Sequence, residues 1–319
     1  MKLAESIIIK RYLKTLSFNR KSSLKLEDDV YYDKNKKFIF SVDTYEENIH
    51  FLKGSKPKEF VSRILRATIS DIICKGSTPE VYFLSLSLPK VTSNWLKSFK
   101  LNLLKESKRL NLFLGGGDTV KSKKLSISIS VIGNVLKKPI LRSTAKVNDD
   151  IYTTGSLGNS YLGLQIYKKK LTLGKDNFFF KKAYIEPYLP IKFSKHLSKF
   201  ATSSTDISDG LIQDLKNICK ASKCGGRIYL DKVPLSKKAM LHVKKKKINT
   251  INFFSRGDDY QILFTANKKS RKMIKNLSKS TSTKVTRIGK IVSEKLVKLT
   301  HNGKVVELHP NKSGYIHNF

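Results

Sequence analysis

Short apolar strands alternate with amphipathic helical stripes along this chain, and the alternation starts again after Lys137-Lys138-Pro139. Residues 80–88 have the composition of a strand, whereas residues 58–75 carry apolar side chains at helical spacing. Gly76 follows that stripe and suits the left-handed position after a helix. Because strands and helices alternate on both sides of the restart, the sequence predicts a mixed α/β architecture with a domain boundary near residue 140.

The same periodicity predicts the other regular elements. We expect further strands at 37–42, 111–114, 125–136, 151–154, 227–233 and 260–265, and further helices at 93–110, from 159 and from 211. Ser208 or Asp209 is expected to cap the helix that begins at Leu211. The segment 115–118, which contains a run of three glycines, is expected to be a loop whose backbone can approach a phosphate.

The formal net charge is +38, from 63 Lys and Arg residues against 25 Asp and Glu residues. So large a charge suggests nucleic-acid binding. Only ten of the basic residues are arginine, however, the residue that recognises bases and phosphates through two parallel hydrogen bonds. The lysines are spread along the chain without an interleaved aromatic stripe. The charge therefore favours a solvated lysine-rich surface and no nucleic-acid partner, and a basic nucleic-acid-binding protein is the alternative of a different class.

Cysteine use and hydropathy indicate the compartment. Cys74, Cys219 and Cys224 form no pair at metal-ligand spacing, and their odd number argues against a disulfide framework. The apolar runs are too short to cross a bilayer. The first residues lack the small-residue cleavage site of a signal peptide. We therefore expect a cytoplasmic protein that does not partner a membrane.

Aspartates fall mainly at strand ends and helix starts. They are Asp28, Asp29, Asp43, Asp71, Asp118, Asp206, Asp209, Asp258 and Asp259. Any one alone is explained as a turn or capping residue, although Asp71 lies in an otherwise apolar helical stripe, where a carboxylate needs a partner. Together they offer the hard oxygen ligands that Mg²⁺ takes, often with phosphate oxygens completing the shell. The pattern predicts an Mg²⁺-dependent enzyme that handles phosphate groups, in the first instance those of ATP.

Two common phosphate-binding motifs are absent from the sequence. Neither G-x-x-x-x-G-K-[ST] nor a G-x-G-x-x-G fingerprint at a strand–helix turn occurs. The predicted phosphate site is therefore of neither the P-loop nor the Rossmann type.

A series of short segments, taken in order, resembles the thiamine-monophosphate kinase family of the aminoimidazole-ribonucleotide-synthetase-like superfamily. The segments are Asp28-Asp29, Ser41-Val42-Asp43-Thr44, His50-Phe51, Ile69-Ser70-Asp71-Ile72, Gly116-Gly117-Asp118-Thr119, Arg142-Ser143, Thr154-Gly155-Ser156-Leu157-Gly158, Asp206-Ile207-Ser208-Asp209-Gly210-Leu211, Gly257-Asp258-Asp259-Tyr260 and Gly314-Tyr315. Each is common by itself. Their shared order and near-family spacing over nearly the whole chain carry the resemblance.

This resemblance implies an ATP-dependent kinase that converts thiamine monophosphate to thiamine diphosphate, with Mg²⁺ as cofactor. It implies an N-terminal α/β domain (residues 1–139) that forms a homodimer through its sheet, and a C-terminal α+β domain (residues 140–319). The implied metal ligands are Asp29, Ser41, Asp43, Asp71, Asp118, Asp206 and Asp209. The implied ATP contacts are Gly117, Arg142 and Ser208, and the implied thiamine-phosphate contacts are His50, Asp258 and Tyr315.

No protein nucleophile is expected. The acceptor phosphate is already anionic, so in-line transfer rests on positioning and charge neutralisation and needs no strong base. Outside the family motif, His50 is equally well explained as a structural histidine and Tyr315 as a packed aromatic residue.

Several positions depart from the family pattern. Val42 replaces a threonine, Thr68 a common asparagine, Arg256 a glycine and Asp258 a glutamate. The shorter Asp258 changes the reach toward substrate, so the departures bear on substrate choice more than on ATP or metal. The alternative within the superfamily is an ATP-dependent enzyme that acts on a different small phosphorylated metabolite.

Overall fold

The computed structural model describes residues 4–246, 248 and 250–307, and it forms one β-sheet on each side of residue 140. The strands of the first sheet are β1 (Tyr31–Asp33), β2 (Phe38–Glu46), β3 (Thr78–Leu88), β4 (Phe113–Lys121) and β5 (Ser126–Asn134). They lie in the order β1-β2-β5-β3-β4. The β3–β4 pair is parallel and the other pairs are antiparallel.

The second sheet has seven strands. They are β6 (Asp150–Thr154), β7 (Ala201–Asp206), β8 (Gly225–Tyr229), β9 (Ile262–Ala266), β10 (Val285–Val292), β11 (Val297–His301) and β12 (Lys304–Val306). Their order is β12-β11-β8-β10-β6-β9-β7, so β7 forms one edge. The β8–β11 pair is parallel and the others are antiparallel.

Ten α-helices accompany the sheets in the described ranges. They are α1 (Glu5–Ile8), α2 (Val61–Cys74), α3 (Ser93–Leu110), α4 (Asn159–Tyr167), α5 (Asn177–Ile185), α6 (Ile191–Ser194), α7 (Leu211–Ser222), α8 (Lys237–Lys246), α9 (Ile251–Ser255) and α10 (Arg271–Ser280). None of these helices is long and apolar enough to pass through a bilayer. The predicted bounds of α3 are confirmed, and Gly76 adopts the expected left-handed conformation after α2, with φ +72°.

Helix α2 is buried except at Asp71, which is half-buried. Thirteen of its 14 residues are buried, which is typical of a helix enclosed by a protein core. Its apolar side chains, such as Ile64 and Ile69, belong to the core beneath the first sheet, together with Ile127 and Ile129 of β5. Other α2 residues contact β7 of the second sheet: the Ser204 hydroxyl donates to the Cys74 carbonyl at 2.6 Å. Helix α2 therefore sits where the two sheets meet.

A separate apolar cluster joins the two sheets. It contains Cys74 at the end of α2, Phe193 and Phe200 from the connection before β7, and Phe264 of β9. The Phe264 ring lies 5.8 Å from that of Phe193 and 5.6 Å from that of Phe200. Burial of these aromatic side chains fixes the second sheet against α2.

Strands β2 and β4 both extend further than the sequence predicted. β2 continues through Asp43 to Glu46, because it pairs with β5 along its full length. The prediction of a loop at residues 115–118 is wrong, since this segment is part of β4 and pairs with β3 from Gly116 onward. The prediction that Ser208 or Asp209 caps α7 is also wrong. Gly210 is the N-cap, and the Asp214 carboxylate accepts its N–H at 3.0 Å.

Because β4 lies close to β3, alanine substitutions at Gly116 and Gly117 should reduce the free energy of unfolding by different amounts. A Cβ at Gly117 would lie 1.9 Å from the Leu84 carbonyl oxygen, whereas one at Gly116 would lie no closer than 3.6 Å to Phe83. Their φ angles are similar, +159° and +154°. Gly117→Ala should therefore reduce the free energy of unfolding by about 2 kcal/mol more than Gly116→Ala. Urea denaturation measures the difference, and equal losses would contradict the strand register.

Candidate functional site

Three aspartates from separate parts of the chain converge where α2 meets β7. Asp29 comes from the loop before β1, Asp71 from α2 and Asp206 from the end of β7. One carboxylate oxygen from each lies within 4.8 Å of the others. Carboxylate oxygens at such separations match the hard donor set that Mg²⁺ prefers. The residues present therefore fit a divalent cation.

Asp71 is held by a residue of the first sheet. The Ser41 hydroxyl donates to Asp71 Oδ2 at 2.6 Å, which supplies the partner that a core carboxylate needs. Burial raises the pKa of Asp71 well above its usual value, and the negative charges of Asp43 and Asp206 raise it further. A bound cation would relieve both effects, because it stabilises the ionised carboxylates.

Asp206 is held mainly by the neighbouring helix. The Ser70 hydroxyl of α2 donates to Asp206 Oδ2 at 2.5 Å, and the Ser208 hydroxyl approaches Oδ1 at 3.4 Å. Burial raises the pKa of Asp206 to about 7, and the charge of Asp29 acts in the same direction. The carboxylates of this cluster thus repel one another in the absence of a counter-charge.

Asp43 lies on the inward side of β2 and is fixed by two hydroxyl groups. The Tyr45 hydroxyl donates to Asp43 Oδ2 at 2.8 Å and lies 2.9 Å from the Thr68 hydroxyl. Burial raises the pKa of Asp43, against the opposing effect of the Tyr45 hydrogen bond. Thr68, a departure from the family pattern, therefore hydrogen-bonds to both Tyr45 and Asp43.

Asp29 differs from the others because fixed cations surround it. Arg142 forms an ion pair with Asp29 Oδ1, and Lys75 Nζ lies 2.5 Å from Oδ2. The Thr205 hydroxyl donates to the same oxygen at 3.1 Å. Although burial opposes ionisation, the charges of Arg142 and Lys75 lower the pKa of Asp29. A predicted metal ligand and a predicted ATP contact are therefore paired with each other.

Gly117 and Asp118 are not part of this cluster in the single chain. They lie on the exposed edge strand β4, where Asp118 is opposite Ser85 and Gly117 is opposite Leu84. Leu84 faces the core and Ser85 faces outward, so Asp118 shares the outward face of the sheet. Asp43 projects from the opposite face. The role of Asp118 as a metal ligand stays a prediction.

The segment 206–210 packs against the segment 257–260. The backbone N–H of Asp258 donates to the Ser208 carbonyl at 3.0 Å, and that of Tyr260 donates to the Ile207 carbonyl at 2.9 Å. A Cβ at Gly257 would lie 1.5 Å from the Ser208 oxygen, so this contact requires glycine. The loop that carries Ser208 and Asp209 is therefore joined directly to the loop that carries Asp258.

Arg63 of α2 connects two predicted substrate residues. Its guanidinium lies 2.5 Å from Asp258 Oδ1 and donates to the His50 carbonyl at 2.5 Å. It also lies 4.5 Å from the centre of the Tyr184 ring, within the range of a cation–π contact. His50 and Asp258 are thus close together in space. Tyr315, the third predicted substrate residue, lies outside the described residues.

The His50 ring has a defined orientation. Its Nδ1 accepts the Glu46 backbone N–H at 2.9 Å, and its ring lies edge-on to Tyr45 with centroids 5.6 Å apart. In the neutral imidazole one nitrogen accepts and the other donates. The hydrogen on the neutral ring is therefore on Nε2.

Reasoning from the sequence missed Lys75, Arg63 and Tyr45. The available signal for the two cations was a charged residue inside an apolar helical stripe. Such side chains usually extend their charged ends to solvent, so the pattern alone indicates no partner. For Tyr45, an aromatic residue in a strand is expected to pack in the core. Tyr45 does so, and its hydroxyl also donates a hydrogen bond to Asp43.

Comparison with known families covers most of the chain. Residues 26–135 match the family described as AIR synthase related protein, N-terminal domain, and residues 146–302 match the family described as AIR synthase related protein, C-terminal domain. The chain is 37% identical to a thiamine-monophosphate kinase of Buchnera aphidicola subsp. Schizaphis graminum over 99% of both chains. It is 34% identical to a thiamine-monophosphate kinase of Buchnera aphidicola subsp. Acyrthosiphon pisum, over 91% of this chain and 92% of the other.

Solved structures share this two-sheet fold. A structure of AaThiL complexed with AMPPCP and TMP superposes with a TM-score of 0.85 at 27% identity, covering 99% of each chain. A thiamine monophosphate kinase from Aquifex aeolicus gives a TM-score of 0.82 at 26% identity, covering 96% of this chain and 98% of the other. The prediction of a two-domain fold with an α/β and an α+β part is confirmed.

The buried Asp259 gives a prediction of pH dependence. Its two oxygens lie 2.9 and 3.1 Å from the Gly158 backbone nitrogen, and burial raises the pKa of its carboxyl to about 8. A carboxyl with a raised folded-state pKa destabilises the fold progressively as pH rises from about 4 to about 8. Asp259→Asn keeps an acceptor for Gly158 and loses this titration. The variant should therefore gain Tm relative to wild type as pH rises from 5 to 9. If the difference in Tm between variant and wild type were constant with pH, or widened in favour of wild type, Asp259 would ionise freely in the folded state.

Proposed function

The chain belongs to the thiamine-monophosphate kinases of the AIR synthase related protein family, and we propose that it transfers the γ-phosphoryl group of ATP to thiamine monophosphate. One observation carries this proposal: the carboxylate oxygens of Asp29, Asp71 and Asp206 lie within 4.8 Å of one another in a chain matched to this family over nearly its full length. Support for both substrates comes from AaThiL, whose structure was solved with AMPPCP and TMP.

We assign the metal ligands to the aspartates between α2 and the two sheets. Asp29, Asp71 and Asp206 would hold Mg²⁺, with Asp43 and Ser41 beside them on β2 and Asp209 on the loop after β7. When bound, Mg²⁺ neutralises the charge on the transferring phosphoryl group and on the phosphates that flank it. Hydroxyl donors from Ser41, Ser70 and Tyr45 fix these carboxylates in place. This pre-set geometry supports transfer without a protein nucleophile.

Arg142 and Ser208 are assigned to the ATP phosphates. Arg142 forms an ion pair with Asp29 and also donates to the Thr205 hydroxyl at 3.1 Å. A guanidinium has five N–H groups, so it can retain Thr205 while it donates to a phosphate. Ser208 lies on the loop that contacts Asp258, so the proposed ATP contact would lie next to the proposed substrate contact.

The acceptor side is assigned to His50 and Asp258. The neutral His50 ring carries its hydrogen on Nε2, which suits donation to the acceptor phosphate. Asp258 has φ +68°, a left-handed conformation that is uncommon outside glycine and often marks a functional position. Arg63 holds Asp258 from within the protein, and this fixes the position of the carboxylate.

A homodimer through the first sheet is the oligomeric state we propose. Val42, Ser130, Phe83 and Gly116 form one row across β2, β5, β3 and β4, on the face opposite α2. In this chain Val42 is 57% exposed and Phe83 36%. Exposed apolar side chains on a sheet face are a common basis for sheet-on-sheet association. Gly117 and Asp118 would then border the interface near the bound nucleotide.

The proposed dimer predicts that a charge at the exposed residue Val42 prevents association. Val42→Lys would place two like charges in an apolar contact, so the variant should sediment as a monomer and keep its monomeric fold. Analytical ultracentrifugation with circular dichroism checks both properties. A wild-type chain that is already monomeric at micromolar concentration would contradict the proposed association.

Direct assay tests the activity itself. The purified protein with ATP, Mg²⁺ and thiamine monophosphate should form thiamine diphosphate, detected by chromatography. No product with thiamine monophosphate, together with turnover of another small phosphorylated metabolite, would support the alternative within the superfamily. Steep loss of nucleic-acid affinity with salt, in a protein that has no kinase activity, would favour the basic nucleic-acid-binding alternative.

A matched pair of variants tests the carboxylate assignment. Asp71→Asn keeps the shape and the acceptor for Ser41 but removes a charge from the cluster, so kcat should fall by about 100-fold or more. Asp150→Asn removes a buried carboxylate that instead pairs with Arg271 and Arg287. It should lower Tm and leave kcat within about twofold of wild type. If Asp71→Asn turned over at the rate of Asp150→Asn, Asp71 would not be a metal ligand.

A further inference from the structure

Lys75 is a buried cation at the end of α2. Its side chain has no exposed surface, and its ammonium lies 2.7 Å from Asp28 Oδ1 and 2.5 Å from Asp29 Oδ2. It also donates to the Ser204 carbonyl of β7 at 3.0 Å. An ammonium group has three donors, so all three are used within the protein. Lys75 therefore joins the loop before β1, helix α2 and the edge of the second sheet.

Lys75 and Arg142 together neutralise one end of the carboxylate cluster. The Arg142 backbone N–H donates to Asp28 Oδ2 at 2.8 Å, and its guanidinium pairs with Asp29 Oδ1. Both oxygens of Asp29 therefore contact a cationic side chain. At the other end, hydroxyl groups are the hydrogen-bond partners of Asp71 and Asp206. Among the described residues, the fixed cations therefore pair directly with Asp29, whereas Asp71 and Asp206 are held by hydroxyl groups.

We propose that Lys75 is a positioning residue that acts as a built-in counter-cation of the metal site. It holds the Asp28–Asp29 loop in place in the metal-free protein, and it competes with a divalent cation for Asp29 Oδ2. Lys75 thereby lowers the cation affinity of the site and reduces the structural need for the cation. This inference rests on the proposed function, because it assumes that Asp29, Asp71 and Asp206 bind a divalent cation.

Two opposite effects of Lys75 follow from electrostatics. Removing one partner of a buried ion pair is strongly destabilising, because the remaining charge is left without compensation. Loss of Lys75 should therefore weaken the metal-free fold. The same loss frees Asp29 Oδ2 and raises the negative potential of the site, so divalent cations should bind more tightly. A purely structural lysine would produce the first effect without the second.

The variant Lys75→Met separates these effects without any turnover. Binding of Mn²⁺ alone is measured by electron paramagnetic resonance, and Tm is measured with and without Mn²⁺. Without metal, the variant should lose about 10 °C in Tm. Its Kd for Mn²⁺ should be lower than that of wild type by about tenfold or more. Saturating Mn²⁺ should then remove most of the difference in Tm, because a ligand stabilises the state that binds it more tightly.

Another buried ion pair provides the control. Arg66 Nε lies 2.7 Å from Glu106 Oε2, and both side chains are almost fully buried. Neither residue is part of the carboxylate cluster. Arg66→Met should lose a similar amount of Tm, should bind Mn²⁺ with wild-type affinity and should not be rescued by it.

A double variant keeps the test decisive if Lys75→Met does not fold. Lys75→Met with Asp28→Asn removes one charge of each sign, so it should fold without metal and still bind Mn²⁺ more tightly than wild type. Wild-type affinity in either variant would overturn the proposed role of Lys75. So would failure of the double variant to fold, because its charge balance is retained. Absence of Mn²⁺ binding to the wild-type protein would overturn the metal site of the proposed function itself.

Discussion

Repulsion among buried carboxylates is the interaction on which this molecule depends. Helix α2 lies between the two sheets, and its Asp71 is brought beside Asp206 of the second sheet and Asp29 of the N-terminal loop. Ionising these groups together in a buried site is costly, and this raises the pKa of Asp71 and Asp206. Lys75 and Arg142 form direct ion pairs with Asp29, and their charges offset only part of the unfavourable effect of burial and repulsion at Asp206. A bound divalent cation would neutralise the remaining negative charge.

The same helix also organises the proposed acceptor side. Eight residues before Asp71, Arg63 holds Asp258 and the His50 backbone, so metal and substrate assignments share one rigid element. Sites built on helices hold their geometry more closely than sites built on loops. Beside α2, the loop 206–210 contacts the loop 257–260. In the proposed mechanism, the positions of donor and acceptor would follow from how α2 is packed.

Periodicity predicted much of the fold, because burial of one face repeats along a helix or a strand. It placed α3 correctly and indicated that Asp71 needs a partner. It could not show that β4 continues through three glycines, since the cause is pairing with β3, a contact distant in sequence. Nor could it place Asp118 on the outward face or pair Lys75 with Asp28, because long-range packing decides which side chains meet. Family motifs named most of the candidate site, and only the folded chain shows which named residues converge.

Anomalous diffraction from crystals grown with Mn²⁺ and a non-hydrolysable ATP analogue measures the central claim most directly. We expect an anomalous peak within about 2.5 Å of carboxylate oxygens of Asp71 and Asp206, beside the phosphates of the nucleotide. Peaks that lie only at other surfaces, with Asp71 and Asp206 bound to protein hydroxyls alone, would contradict the proposed metal site.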